Sequence, residues 1–66
     1  MTIGENIRKL REAKGMKQDE LAEALGVTAG AVSLWESDKR SMNVKQADKL
    51  AHVLGVTLNE LVDEKE

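Results

Sequence analysis

Ile3, Ile7 and Leu10 recur at i, i+4 and i+7 among charged and polar residues, the period that lays one apolar stripe along a helix. Thr2 and Glu5 stand at capping-box spacing ahead of the stripe, and Gly15 follows it where a helix closes with a left-handed residue. The pattern predicts a first helix ending near Lys14. After a turn at Met16 and Lys17, Leu21, Ala22 and Leu25 mark the buried face of a second helix over 18–25, closed by Gly26. A third helix, over 29–37, carries Val32 and Trp35 on one face with Ala31 beside them. The polar stretch SDKRSMN then forms a loop, and Asn43 with Gln46 makes a second capping box. That box opens a fourth helix facing inward through Val44, Ala47, Leu50, Ala51 and Leu54. Thr57 and Glu60 cap a short fifth helix bearing Leu58, Leu61 and Val62.

Leu-Gly-Val-Thr occurs twice, ahead of the third helix and ahead of the fifth. Gly tolerates the positive φ that ends one helix, Val supplies the apolar contact that follows such a cap, and the Thr hydroxyl caps the next helix. The four residues are a compact corner between helices. The segments they join do not match, so the chain is not a repeat array.

Composition agrees with an all-α reading: among 66 residues there is no Pro, and Ala, Leu, Glu and Lys dominate. That length makes one domain, 1–66, near the lower limit for a core without staples. There is no Cys, hence no disulfide framework and no thiolate chemistry, which fits a reducing cytoplasm. Apolar runs are too short for a signal peptide or membrane span, so the expectation is a cytoplasmic protein without membrane association. His52 has no second His or Cys with which to hold a metal, and no carboxylate is arranged with a nucleophile and a base. Neither an enzyme nor a metal or cofactor is expected. Net charge is −2, which alone argues against a nonspecific nucleic-acid binder. Its distribution changes the picture. Residues 60–66 hold −3 of that total, including the acidic tail 63–66, so residues 1–59 carry +1, and cations gather at Arg8, Lys9, Arg11, Lys14 and Lys17 and again at Lys39, Arg40 and Lys45.

Two short helices joined by a tight Gly-containing turn, with other helices packed around them, make a helix-turn-helix arrangement. Spacing of this kind is common among small helical bundles. The residues are more specific: KQDELAEALGVTAGAVSLWESDKR closely resembles the Cro and phage-repressor (XRE) helix-turn-helix family, at Gln18, Leu21, Ala22, Gly26, Val27, Thr28, Val32, Ser33, Trp35 and Glu36. The resemblance runs over nearly the whole chain and implies a five-helix, lambda-repressor-like DNA-binding fold.

The resemblance further implies that the third helix enters the major groove of a double-stranded DNA operator while the second crosses the backbone. By the same likeness Gln18, Thr28, Lys39, Arg40 and Asn43 contact phosphates, helped by helix N-termini at Gln18 and Asn43. Arg11 and Glu36 correspond to a structural ion pair between the third and first helices. Base and groove contacts fall to Ala29, Gly30, Ser33 and Leu34. Three of these depart from the long polar readers common there. Recognition then rests on Ser33, on apolar contact between Ala29 or Leu34 and thymine methyl groups, and on DNA shape. The loop also lacks the Pro common before the fourth helix, with Met42 and Asn43 in its place. The reading is a sequence-specific transcriptional regulator, of repressor type, acting as a homodimer through Leu58, Leu61 and Val62. Its rival is a protein-interaction module on the same fold, such as an antitoxin-like or regulatory subunit, whose protein partner covers the apolar tip of the third helix.

Overall fold

The computed structural model describes residues 2–62, and the acidic tail 63–66 lies outside them. Within them are five helices and no strand: α1 Ile3–Ala13, α2 Gln18–Leu25, α3 Ala29–Glu36, α4 Val44–Leu54 and α5 Leu58–Leu61. Each apolar stripe turns inward onto one core. Ile7 comes from α1, Leu21, Ala22 and Leu25 from α2, Val32 and Trp35 from α3, Ala47, Leu50, Ala51 and Leu54 from α4, and Leu61 from α5. Leu21, Val32, Leu50 and Leu61 have no exposed surface, and burial of this kind contributes about 1.5–3 kcal/mol per side chain.

One element of the expected core is misplaced. Val44 is 77% exposed. As the first residue of α4 it overhangs the bundle, and Met42 from the preceding loop is half-buried and packed against the core.

The helix ends share a closure. Met16, Val27, Lys39 and Val56 each donate their backbone N–H five residues back, to the carbonyls of Arg11, Ala22, Leu34 and Ala51. In each case the residue between has positive φ: Gly15 at 75°, Gly26 at 72°, Asp38 at 62° and Gly55 at 71°. These are Schellman closures, whose left-handed residue carries a steric cost for any side chain and none for Gly. The two Leu-Gly-Val-Thr corners are superimposable in kind, with Thr28 Oγ1 accepting from Ala31 N–H at 3.2 Å and Thr57 Oγ1 accepting from Glu60 N–H at 3.1 Å.

Long-range polar bonds tie the helices together. Asn6 on α1 donates its side-chain amide to the carbonyls of Glu60 (2.6 Å) and Leu61 (2.9 Å), which caps α5, and Lys49 on α4 donates to the Leu25 carbonyl at the end of α2 (3.3 Å). Both satisfy carbonyls left without an intrahelical partner. Gly4 has a different role. A Cβ built there would sit 2.5 Å from the backbone oxygens of Trp35 and Glu36, so the missing side chain is what lets the start of α1 lie against the end of α3.

Gly4→Ala should therefore cost about 3 kcal/mol through overpacking against backbone, whereas Gly30→Ala, whose Cβ would meet only Thr28 Oγ1 at 3.7 Å, should be neutral or stabilise by up to about 1 kcal/mol. Urea midpoints decide between these; equal midpoints for the two variants would mean that α1 and α3 are not in close approach.

The capping box of α1 has a pH signature. Glu5 accepts the Thr2 backbone N–H at 2.9 Å, and that bond, with the Thr2 hydroxyl second, holds its carboxyl below the usual 4.5. A depressed carboxylate contributes stability above its unfolded pKa and loses it as pH falls through the folded value. Thermal midpoints of the wild type and Glu5→Gln should thus differ at neutral pH and converge by about pH 3.

Candidate nucleic-acid interface

The first Leu-Gly-Val-Thr corner aims α3. With Val32 and Trp35 anchored in the core, Ala29, Gly30 and Ser33 are exposed along the outer face of the helix. Thr28, also exposed, caps the helix through its oxygen and keeps its hydroxyl hydrogen free to donate. Leu34 departs from expectation. Rather than facing solvent it is half-buried, and its carbonyl accepts from the backbone N–H of Lys39 (3.0 Å) and Arg40 (3.3 Å) as the following loop folds back over it. The small residues of the first turn leave the α3 backbone open to close approach, and no acidic side chain stands there.

Behind α3 lies the ion pair. Arg11 Nε is 2.6 Å from Glu36 Oε2 and Nη2 is 3.1 Å from Oε1, a two-pronged contact between residues each only 8% exposed. Arg11 Nη1 donates to the Met16 carbonyl at 2.8 Å, and Gln18 Nε2 donates to Glu36 Oε1 at 3.0 Å. The Glu36 carboxylate raises the Arg11 pKa above its ordinary value, so the guanidinium stays charged across the whole working range. One carboxylate thus joins α1 and the first residue of α2 to the last residue of α3.

That network changes the role open to Gln18. One amide hydrogen is committed to Glu36, leaving the other for an outside acceptor. The N-terminus of α2 also carries Asp19 and Glu20 in its first turn, which oppose an anion there, whereas the first turn of α4 behind Asn43 has no acid. Of the two helix starts expected to attract phosphate, α4 is the better suited. Asn43 is exposed, its Oδ1 accepting from Gln46 N–H at 2.8 Å and its amide hydrogens unused. Lys39 and Arg40 are exposed on the loop between α3 and α4.

Two residues missed by sequence reasoning belong to the same surface. Arg8 and Ser37 join Arg11, Gln18, Ser33 and Glu36 in lining a polar cleft of about 370 Å³ beside α3. Arg8 is exposed and makes only a 3.4 Å contact with Glu12 one turn on, so its charge is available. Its helical position, one turn before a charged neighbour, looks in sequence like ordinary surface charge.

The expected dimer surface needs correction. Leu61 has no exposed surface and belongs to the core, because α5 is too short to bury Leu58 and Val62 as well. Leu58 (38% exposed) and Val62 (40%) remain outward. His52 is exposed at the end of α4, and no group of three His, Cys, Asp or Glu among the described residues could hold a metal. No described helix is long and apolar enough to cross a membrane.

Residues 7–61 match the helix-turn-helix family. The chain belongs to the Cro and repressor-like branch of that family. Among curated helix-turn-helix relatives, the transcriptional activator BcrR of Enterococcus faecalis is 35% identical over the whole of this chain, which spans 32% of that protein's length. Among solved helix-turn-helix structures, the P22 c2 repressor in complex with a synthetic operator superposes with a TM-score of 0.90 at 26% identity, covering 98% of both chains. The biofilm regulator SinR in complex with DNA gives 0.87 at 32% identity, over 94% of this chain and all of that one. The same helix-turn-helix unit also matches 35% of HppE, an iron(II)-containing protein in complex with its substrate, at a TM-score of 0.85 and 31% identity over 92% of this chain.

The buried pair predicts an asymmetric mutational response. Arg11→Ala or Glu36→Ala alone should destabilise by about 3–5 kcal/mol, since each leaves a desolvated charge without its partner, and the double variant should lose less than the sum. Urea unfolding measures all three; strict additivity would remove the coupling.

Proposed function

We propose that the chain is the DNA-binding unit of a transcriptional regulator, reading duplex DNA with α3 in the major groove. The observation that carries this is the near-complete superposition on an operator-bound repressor, 98% of each chain at a TM-score of 0.90. The local chemistry supports it: an exposed, acid-free first turn on α3, a free Thr28 hydroxyl, and cations at Lys39 and Arg40. Ala29 and Gly30 admit the groove wall closely, and Ser33 is the polar side chain available to a base edge. Thr28, Lys39, Arg40, Asn43 and the second amide hydrogen of Gln18 contact phosphates, with α4 supplying unpaired backbone N–H groups. Sequence preference then arises chiefly from Ser33, from methyl contact by Ala29 or the half-buried Leu34, and from groove shape. A single unit of this size covers one half-site. Leu58 and Val62 are the apolar residues available for pairing two copies on a two-fold symmetric site.

Selection of duplexes from a random pool at two salt concentrations tests the reading. A two-fold symmetric motif is expected to emerge; absence of any enrichment at low salt, with a protein partner retained instead, would give the site to the interaction-module reading. Lys39→Ala and Arg40→Ala should each weaken binding to all sequences alike and lower the salt slope by about one per lost phosphate contact. An unchanged slope in both would take the loop off the DNA.

A further inference from the structure

Four helix ends close in the same way, three with Gly at the left-handed position and one with Asp38. Gly fits φ near 60° without strain, while Asp bears a steric cost there, and its carboxylate stands beside the negative end of α3. Local structure therefore disfavours Asp38 on both counts. What offsets this lies across the fold. Asp38 Oδ1 accepts the Gly4 backbone N–H at 3.0 Å and Oδ2 accepts the Thr2 hydroxyl, so the carboxylate occupies the positive N-terminus of α1, thirty-odd residues away in sequence. Gly4 makes this possible, because a Cβ at that position would lie 2.8 Å from Asp38 Oδ1 as well as against the α3 carbonyls.

The next two residues are Lys39 and Arg40, whose backbone N–H groups both bond to the Leu34 carbonyl. The segment is thus held at two points, by Leu34 beneath and by the start of α1 beside it. We propose that Asp38 is a positioning residue for nucleic-acid binding: its carboxylate latches the loop to α1 and so fixes the backbone from which Lys39 and Arg40 reach phosphates. The inference rests on the DNA-binding reading above. It gives a negative charge, next to two phosphate-facing cations, a role that favours binding. Without the latch the ordering of two long side chains passes to the binding step, where it weakens affinity.

The sign of the effect separates positioning from simple charge. Removing an acid beside a polyanion site strengthens binding if only Coulomb attraction matters. Asp38→Gly accepts the positive φ, so the closure and the fold are retained, which circular dichroism and a urea midpoint check. Despite losing a negative charge it should bind a mixed-sequence duplex at low salt about tenfold more weakly, the order set by ordering two flexible side chains. Asp38→Asn also tolerates the left-handed region and keeps an oxygen for Gly4 N–H, so it should bind at least as tightly as wild type. In the Asp38→Gly background, Lys39→Ala with Arg40→Ala should cost less affinity than in wild type, a coupling that a merely structural aspartate would not produce. Asp38→Gly binding as tightly as wild type or tighter, or strict additivity in that cycle, overturns the latch while leaving the DNA reading intact. Wild-type protein that binds no duplex at low salt overturns both.

Discussion

The Glu36 carboxylate is the point on which the arrangement turns. It accepts from Arg11 on α1 and from Gln18 at the head of α2 while standing at the tail of α3, and Arg11 in turn holds the Met16 carbonyl of the α1–α2 turn. A buried ion pair is weak evidence for stability, since desolvation of both charges offsets much of their attraction. Its contribution is geometric. Apolar burial of Leu21, Val32 and Leu50 is non-directional and would tolerate α3 rotated or slid by a fraction of a turn. A bidentate guanidinium–carboxylate contact with a further amide on the same oxygen accepts one orientation. The outward face of α3 is defined relative to α1 and α2 by that orientation, and Gly4 adds the second constraint by fixing how closely α1 approaches the end of α3.

The parts of the fold legible in sequence are those set by neighbours in the chain. Thr2 with Glu5, Asn43 with Gln46, and Thr57 with Glu60 are three-residue relations, and each forms the capping box its spacing indicates. Gly15, Gly26 and Gly55 close helices because a left-handed residue is a local requirement. Arg11 with Glu36 was legible only through family resemblance, since nothing in 25 residues of separation announces a pair. What escaped is long-range or depends on where a helix ends relative to the bundle. Gly4 reads as an ordinary glycine in a helix until the carbonyls of Trp35 and Glu36 are placed against it. Asp38 reads as loop polarity, and Asn6 as surface polarity, until the α1 and α5 termini arrive beside them. Val44 obeys the helical period and is still exposed, because periodicity assigns a face without saying how far the neighbouring helices extend along it. Leu61 and Leu58 differ for the same reason: in a four-residue helix only one of them reaches the core.

Charge balance takes on a different meaning once it is resolved by position. A total of −2 describes no surface of this molecule in particular. The acids among the described residues are largely occupied with backbone. Glu5, Glu20 and Glu60 each accept a backbone N–H of their own helix start, Asp38 caps α1, and Glu36 is neutralised by Arg11. The cations at Lys39 and Arg40 have no such partner in the hydrogen bonds and ion pairs formed here. A chain can therefore be acidic overall and present a positively biased edge, because its carboxylates are consumed by helix caps while its loop cations are not.

The repeated corner illustrates how the same local solution yields two outcomes. Both copies close with a left-handed Gly, bond Val to the carbonyl five residues back, and cap with Thr. The difference begins one residue later. After Thr28 come Ala29 and Gly30, too small to demand burial, and the apolar anchors are delayed to Val32 and Trp35, so the first turn is left standing outside the core. After Thr57 comes Leu58, and Leu61 follows within a single turn, where Asn6 binds the carbonyls that end the helix. Delay of the anchors produces a projecting helix with an open backbone; prompt anchoring produces a short brace against α1 and α4. The corner sets the angle between helices, and the spacing of the first large apolar residue after it decides whether the next helix is presented or buried.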